Sequence, residues 1–216
     1  EIVSVASFSE GGNDEYYIPA VTWLNDNELA ISKINRAQDH ENIIGVPFIG
    51  KKPGKAYFIQ ETTDSFVNAS KLFSIPDSSN NLIALWEYDG RRMLVMFRPN
   101  FDNGCPKSDS VLIYCDEPEG TVYFDDFVTE CYGYFPSDST VRYQKFGKTS
   151  RDRQILAMNI YTKKVSKLSE DMGWNEAKFS DDGKYMLLHH SEINVATHSE
   201  YTISAELGIK HHEDEE

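Results

Sequence analysis

The sequence predicts an all-β fold, and three observations carry that prediction. Apolar segments are short, rich in β-branched or aromatic residues, and closed by turn residues. No stretch sustains an apolar stripe of 3.6-residue period. Aromatic residues make up 12% of the chain, with 12 Tyr, 12 Phe and 3 Trp, types that suit the pleated surface of a strand.

Taken in order, the segments pair into hairpins. Residues 18–24 and 29–34 flank Asn25-Asp26-Asn27, and residues 82–88 and 93–97 flank Asp89-Gly90. Residues 111–115 and 121–124 flank an Asp116 to Gly120 turn, and residues 174–179 and 185–189 flank Asp181-Asp182-Gly183. Asp-Gly and Asn-rich turns supply the positive φ of a tight antiparallel reversal. Residues 35–42 are polar and read as a loop or a single helical turn.

The hairpins recur. Trp23, Phe73, Phe127 and Phe179 stand just before or inside the leading strands, at intervals of 50, 54 and 52 residues. In the two best copies, residues 20–29 and 176–185, an aromatic (Trp23, Phe179) precedes the turn and is expected to pack inward. A repeat of about 40–50 residues holding four strands is the signature of a β-propeller blade, and stacked blades bury faces that one blade leaves open. The reading is therefore a β-propeller section of about four antiparallel four-stranded blades over residues 1–206, followed by a flexible acidic tail, 207–216. The competing arrangement is a β-sandwich with coincidental spacing.

Composition narrows the function. The 216 residues carry 21 Lys and Arg against 35 Asp and Glu, a net charge of −14. That balance argues against nucleic acid and against anionic membranes, both of which need clustered basic residues. No apolar run approaches the roughly 18 residues of a membrane helix. The chain begins at Glu1 without a basic and apolar leader, and reads as a processed or excerpted product. Cys105, Cys115 and Cys131 cannot all pair within one chain, and their spacing does not fit paired metal knuckles. Asn68-Ala69-Ser70 is a glycosylation sequon of the kind that also arises by chance.

The residues that could carry chemistry have simpler structural readings. His189 and His190 are neighbours on a predicted strand, so they face opposite sides and cannot share a metal. His211-His212-Glu213-Asp214-Glu215-Glu216 reads as a solvated terminal tract. Asp125-Asp126 and Asp181-Asp182 diverge as strand and turn neighbours, and Asn25-Asp26-Asn27 lacks the ligand pattern of a calcium loop. Arg36, Arg91, Arg92, Arg151 and Arg153 read as paired or solvated cations, and Tyr16, Tyr17, Tyr132 and Tyr134 as strand packing. No catalytic, substrate-binding or metal residue is assigned, and no cofactor.

Several segments nevertheless resemble one family. Tyr17-Ile18-Pro19-Ala20-Val21-Thr22-Trp23, then Ile34-Asn35-Arg36-Ala37-Gln38-Asp39-His40, is similar to a strand and turn in the propeller of the dipeptidyl peptidase IV family of serine peptidases. Gln60-Glu61-Thr62-Thr63-Asp64-Ser65-Phe66-Val67, Trp86-Glu87-Tyr88-Asp89-Gly90-Arg91-Arg92 and Ser150-Arg151-Asp152-Arg153-Gln154-Ile155-Leu156 follow in the family's order. Lys167-Leu168-Ser169 and the run Gly173 to Tyr185 complete the match. Arg91 and Met93 stand where the family carries Trp and His.

The resemblance implies a late propeller section of a longer protein that releases dipeptides from peptide N-termini by serine-type hydrolysis. Its nucleophile would lie in a separate hydrolase domain, on a Gly-x-Ser-x-Gly elbow, and none of the 13 glycines here belongs to one. The family's paired glutamates, which hold the substrate amine, have no counterpart in this chain. The implied partners are a peptide substrate and a second copy in a homodimer, in a periplasmic or extracellular setting. The alternative is a non-enzymatic propeller that binds peptides or partner proteins; a sensor propeller sharing only the Phe179 to Tyr185 hairpin is a third reading.

Overall fold

The computed structural model describes residues 15–76, 80–88, 90–97, 101–102, 105–106, 122–191, 198–204 and 208–213. All its regular elements are strands, arranged as one five-stranded and three four-stranded antiparallel sheets with a small two-stranded pair. This is an all-β, propeller-like section. It divides into two compact units, Glu1–Asp126 and Phe127–Glu216.

In the first unit, β1 (Tyr16–Asn25), β2 (Glu28–Asn35) and β3 (His40–Ile49) form a meander. The first half of β3 pairs with β5 (Tyr57–Thr63), and its last two residues turn back on the short β4 (Lys52–Pro53). Asn25 holds the β1–β2 turn, its Oδ1 accepting the Asn27 N–H at 2.8 Å. The register slips between Tyr17 and Ala20, around Pro19, which has no N–H to give to the ladder. Of residues 35–42, read as a loop or helical turn, only 36–39 form the reversal between β2 and β3; Asn35 ends β2, and residues 40–42 are drawn into β3 by pairing with β2 and β5.

The second sheet has the order β11-β8-β7-β6, from β6 (Lys71–Ser74), β7 (Leu82–Tyr88), β8 (Arg91–Phe97) and β11 (Val122–Asp126). Gly90 supplies the expected left-handed turn at φ +66°. Between β8 and β11 lie β9 (Phe101–Asp102) and β10 (Cys105–Pro106), paired with each other. The predicted strand 111–115 lies outside the described residues; β11 finds its partner in β8.

The second unit contains two plain meanders. One runs β12 (Val128–Phe135), β13 (Thr140–Phe146), β14 (Arg153–Asn159), β15 (Val165–Lys167). The other runs β16 (Trp174–Phe179), β17 (Tyr185–Ser191), β18 (His198–Ser204), β19 (Gly208–Glu213). The last strand takes in residues from the stretch set apart by composition as a tail.

Period-two alternation decides which side chains are buried. Leu82, Ala84 and Trp86 of β7 and Met93, Val95 and Phe97 of β8 face Leu24, Ala30, Ile43, Tyr57 and Ile59 of the first sheet. Trp86 meets Phe97 edge-on at 5.6 Å, and its indole N–H donates to Thr62 Oγ1. In the second unit Ile155 packs against Ala177, Met186 and Leu188, with Tyr132, Leu168 and Phe179 at the margin. The expectation that both leading aromatics pack inward holds for Phe179, 5.3 Å from Tyr132 and 5.4 Å from Phe135. It fails for Trp23, which is 54% exposed on the other face of its sheet, against Phe48.

Two local features make measurable claims. Gly45 lies directly under the Tyr57 ring, opposite it in the ladder, and a β-carbon there would overlap the ring. Gly45→Ala should lower stability by about 1–3 kcal/mol, read as a shifted urea midpoint. In the β16–β17 turn, Asp182 accepts from Ser180 Oγ at 2.7 Å and the Lys184 N–H at 3.1 Å. These bonds, the Ser180 hydroxyl foremost, push its carboxyl down to about 2. The stability it contributes is complete above the ordinary Asp range and fades as the pH falls towards 2. Asp182→Asn should therefore melt below wild type at pH 6, with the gap closing on acidification.

Candidate functional site

The first sheet gathers polar side chains at one end. Register places Tyr16 opposite Asn35 and His40 opposite Thr63, so the start of β1, the β2–β3 turn and the end of β5 meet there. They enclose a hollow of about 400 Å³ lined by Tyr16, Asn35, Asp39, His40, Thr63, Asp64 and Ser65.

Hydrogen bonds build its walls. Asn35 Oδ1 accepts the N–H groups of Asp39 and His40 at 3.1 and 3.2 Å, while its amide donates to Asp39 Oδ1 at 2.7 Å. The link after β5 is lashed to this turn, Asp64 N–H to the Asp39 carbonyl at 3.0 Å and Val67 N–H to that of Gln38 at 2.6 Å. Gln38 takes a left-handed φ of +57° to present that carbonyl. Asp64 accepts the N–H of Ser65 at 2.6 Å and of Gly90 at 3.1 Å, and the Ser65 bond above all holds its carboxyl below the usual range.

His40 has Nε2 2.9 Å from Glu61 Oε1 and Nδ1 3.4 Å from Thr63 Oγ1. The Ser65 hydroxyl donates to Asp64 at 3.1 Å. Serine and imidazole at this hollow thus have separate partners, and the nucleophile–base hydrogen bond of a serine hydrolase is not formed by them.

The other candidates take structural places. His190 is buried with Nδ1 2.8 Å from Asn175 Oδ1, while His189 on the opposite face of β17 is half-buried. Asp126 donates its N–H to Asp125 Oδ1 at 2.9 Å. Arg36 pairs with Glu15 and Arg151 is exposed, whereas the Arg153 guanidinium lies between Phe146 and Trp174, 4.1 and 4.5 Å from their rings. Arg91 and Arg92 stand on β8 opposite Tyr88 and Glu87. Tyr17 is exposed, and Tyr134 lies half-buried on β12. The Tyr132 hydroxyl is pushed up to about 12, chiefly by burial. Cys131 is buried and unbridged, with Sγ 3.7 Å from the Arg142 carbonyl. His211 and His212 fall on β19. Among the described residues no three His, Cys, Asp or Glu side chains gather as a metal would require, and no helix is long and apolar enough to cross a membrane.

Buried acids were not anticipated from sequence: Glu28, Glu41, Glu87 and Asp152 are at most 7% exposed. The sequon is bound up with two of them. Ser70 donates its hydroxyl to Glu41 Oε2 at 2.8 Å, and the Asn68 amide donates to Glu87 Oε2 at 2.5 Å. The one sequence signal is an acid inside an otherwise apolar strand, as at Glu87; Glu41, between His40 and Asn42, carries none.

Comparison with known proteins places the chain. A solved structure assigned as a dipeptidyl aminopeptidase IV from Bacteroides ovatus superposes with a TM-score of 0.61 at 16% identity, over 88% of this chain and 28% of that one. An oligogalacturonate lyase in complex with manganese gives 0.59 at 14% identity, over 94% and 54%. A protein assigned as TolB from Agrobacterium tumefaciens gives 0.51 at 12% identity, over 94% and 64%. The chain spans less than two thirds of each, and at these identities the likeness is one of fold. No curated protein sequence matches it. The family description "Dipeptidyl peptidase IV (DPP IV) N-terminal region" matches residues 1–197, and the chain belongs to that family.

Proposed function

We propose that this chain is the non-catalytic propeller portion of a longer protein that releases N-terminal dipeptides by serine-type hydrolysis. The observation that carries the reading is the family match across residues 1–197. Two observations support this division of labour: the sequence has no Gly-x-Ser-x-Gly, and Ser65 and His40 have Asp64 and Glu61 as separate partners. Its contribution would be positional, admitting short extended peptides and orienting them for attack by a nucleophile in another domain. Membership of the family supports a periplasmic or extracellular setting and a homodimer.

A second reading is a propeller that binds peptides or proteins without catalysis. It is favoured by the occurrence of the same fold in the protein assigned as TolB, and by Arg91 and Met93 at the family's Trp and His positions.

The 216-residue chain should show no turnover of a dipeptidyl-proline chromogenic substrate. The longer protein should cleave it and lose that activity to a serine-directed inhibitor. A longer protein without turnover decides for the binding module, and inhibitor-sensitive turnover by the isolated chain would sink both readings.

A further inference from the structure

Neighbouring sheets in each unit are joined by the same device. In the first unit Glu41, the second residue of β3, accepts the Ser70 N–H at 2.8 Å, and Ser70 immediately precedes β6. In the second unit Asp152, immediately before β14, accepts the Gly173 N–H at 2.9 Å, and Gly173 immediately precedes β16. In both, a carboxylate at the entrance of a sheet's third strand takes the backbone N–H just before the first strand of the next sheet. The sequence separations are 29 and 21 residues.

Each carboxylate is held chiefly by hydrogen bonds. Glu41 also accepts from Ser32 Oγ at 2.5 Å and Ser70 Oγ at 2.8 Å, and has no ion-pair partner among the described residues. Asp152 accepts the N–H and hydroxyl of Thr149 at 2.9 and 2.8 Å. These bonds, led by the Thr149 hydroxyl and the Gly173 N–H, hold its carboxyl below the usual range. Both acids are at most 2% exposed. The joints are reinforced locally. Glu87 of β7 takes the Asn68 N–H at 3.0 Å, and the Gly173 carbonyl accepts from Arg153 N–H at 2.9 Å. Gly173 is itself required, because it lies at φ +83° with His190 and the Ser191 carbonyl within 3 Å of a β-carbon.

We propose that these carboxylates are seam latches: they set the register between neighbouring sheets, and each seam opens as a unit when its latch is broken while the sheets on either side stay formed. The apolar contacts across a seam are non-directional and tolerate sliding, whereas a buried carboxylate meets its donors in one register only. Within a sheet the backbone ladder is independent of the latch. Loss of one acceptor therefore leaves buried donors unpaired at the seam, and in the first unit at the Ser32 side chain, while the backbone ladders keep their partners.

Native-state amide hydrogen exchange on the 216-residue chain tests this. Glu41→Gln keeps one carboxyl oxygen and turns the other into a donor facing donors. It should speed exchange at the Ser70 and Asn68 amides tenfold or more. Exchange should be unchanged at Leu85, inside β7, and at Gly173. Asp152→Asn should do the reverse, opening Gly173 while leaving Ser70 and Leu85 protected. Ser70→Ala is a gentler break that keeps the backbone bond, and should give a smaller rise confined to the first seam. Equal acceleration at seam and mid-strand amides, or an unchanged Ser70 rate in both first-seam variants, would overturn the proposal. So would a Glu41→Gln chain that unfolds altogether while Ser70→Ala loosens strand interiors and seam alike.

Discussion

The fold depends on carboxylates buried where one sheet meets the next. A four-stranded meander satisfies its own backbone but leaves two faces, and apolar burial alone does not say how the next sheet should lie on them. Glu41 and Asp152 add direction: each takes a specific N–H at the doorway of the following sheet. Removing such an acid from water is costly, and three donors in place offset that cost. Together with Glu87, these acids explain why the links between sheets carry Asn68, Ser70 and Gly173, and why the β13–β14 turn carries Thr149. Those residues bring donors, or at Gly173 an approach that no side chain could share.

The polar hollow is a consequence of the same economy of links. The β2–β3 turn and the segment after β5 are tied by Asp64 and Val67 amides, which draws Asp39, His40, Asp64 and Ser65 around one opening. Their hydrogen bonds are spent on holding the walls.

Particular residues show how far the sequence could be read. Asp89-Gly90 and Asp181-Asp182-Gly183 announce their hairpins because tight reversals demand positive φ, and Gly90 and Gly183 adopt it. Polar residues 35–42 read as a solvated stretch, yet pairing with β2 and β5 turns 40–42 into strand and buries Glu41. Trp23 and Phe179 have the same local pattern yet opposite fates. Alternation identifies the two faces of a strand and is silent on which of them a neighbour covers. Asn68-Ala69-Ser70 has the form of a modification signal, and only burial against Glu41 and Glu87 reveals its structural employment.

Strand content, hairpin order, acidity and family were thus present in the linear chain, since turn chemistry, period-two patterning and motif order are local properties. Tertiary structure alone decided the rest: which acids are buried, which face of each sheet is core, and which distant turns share a hollow. Those outcomes require residues 20 to 30 positions apart to meet across a seam, and no local pattern encodes a meeting of that kind.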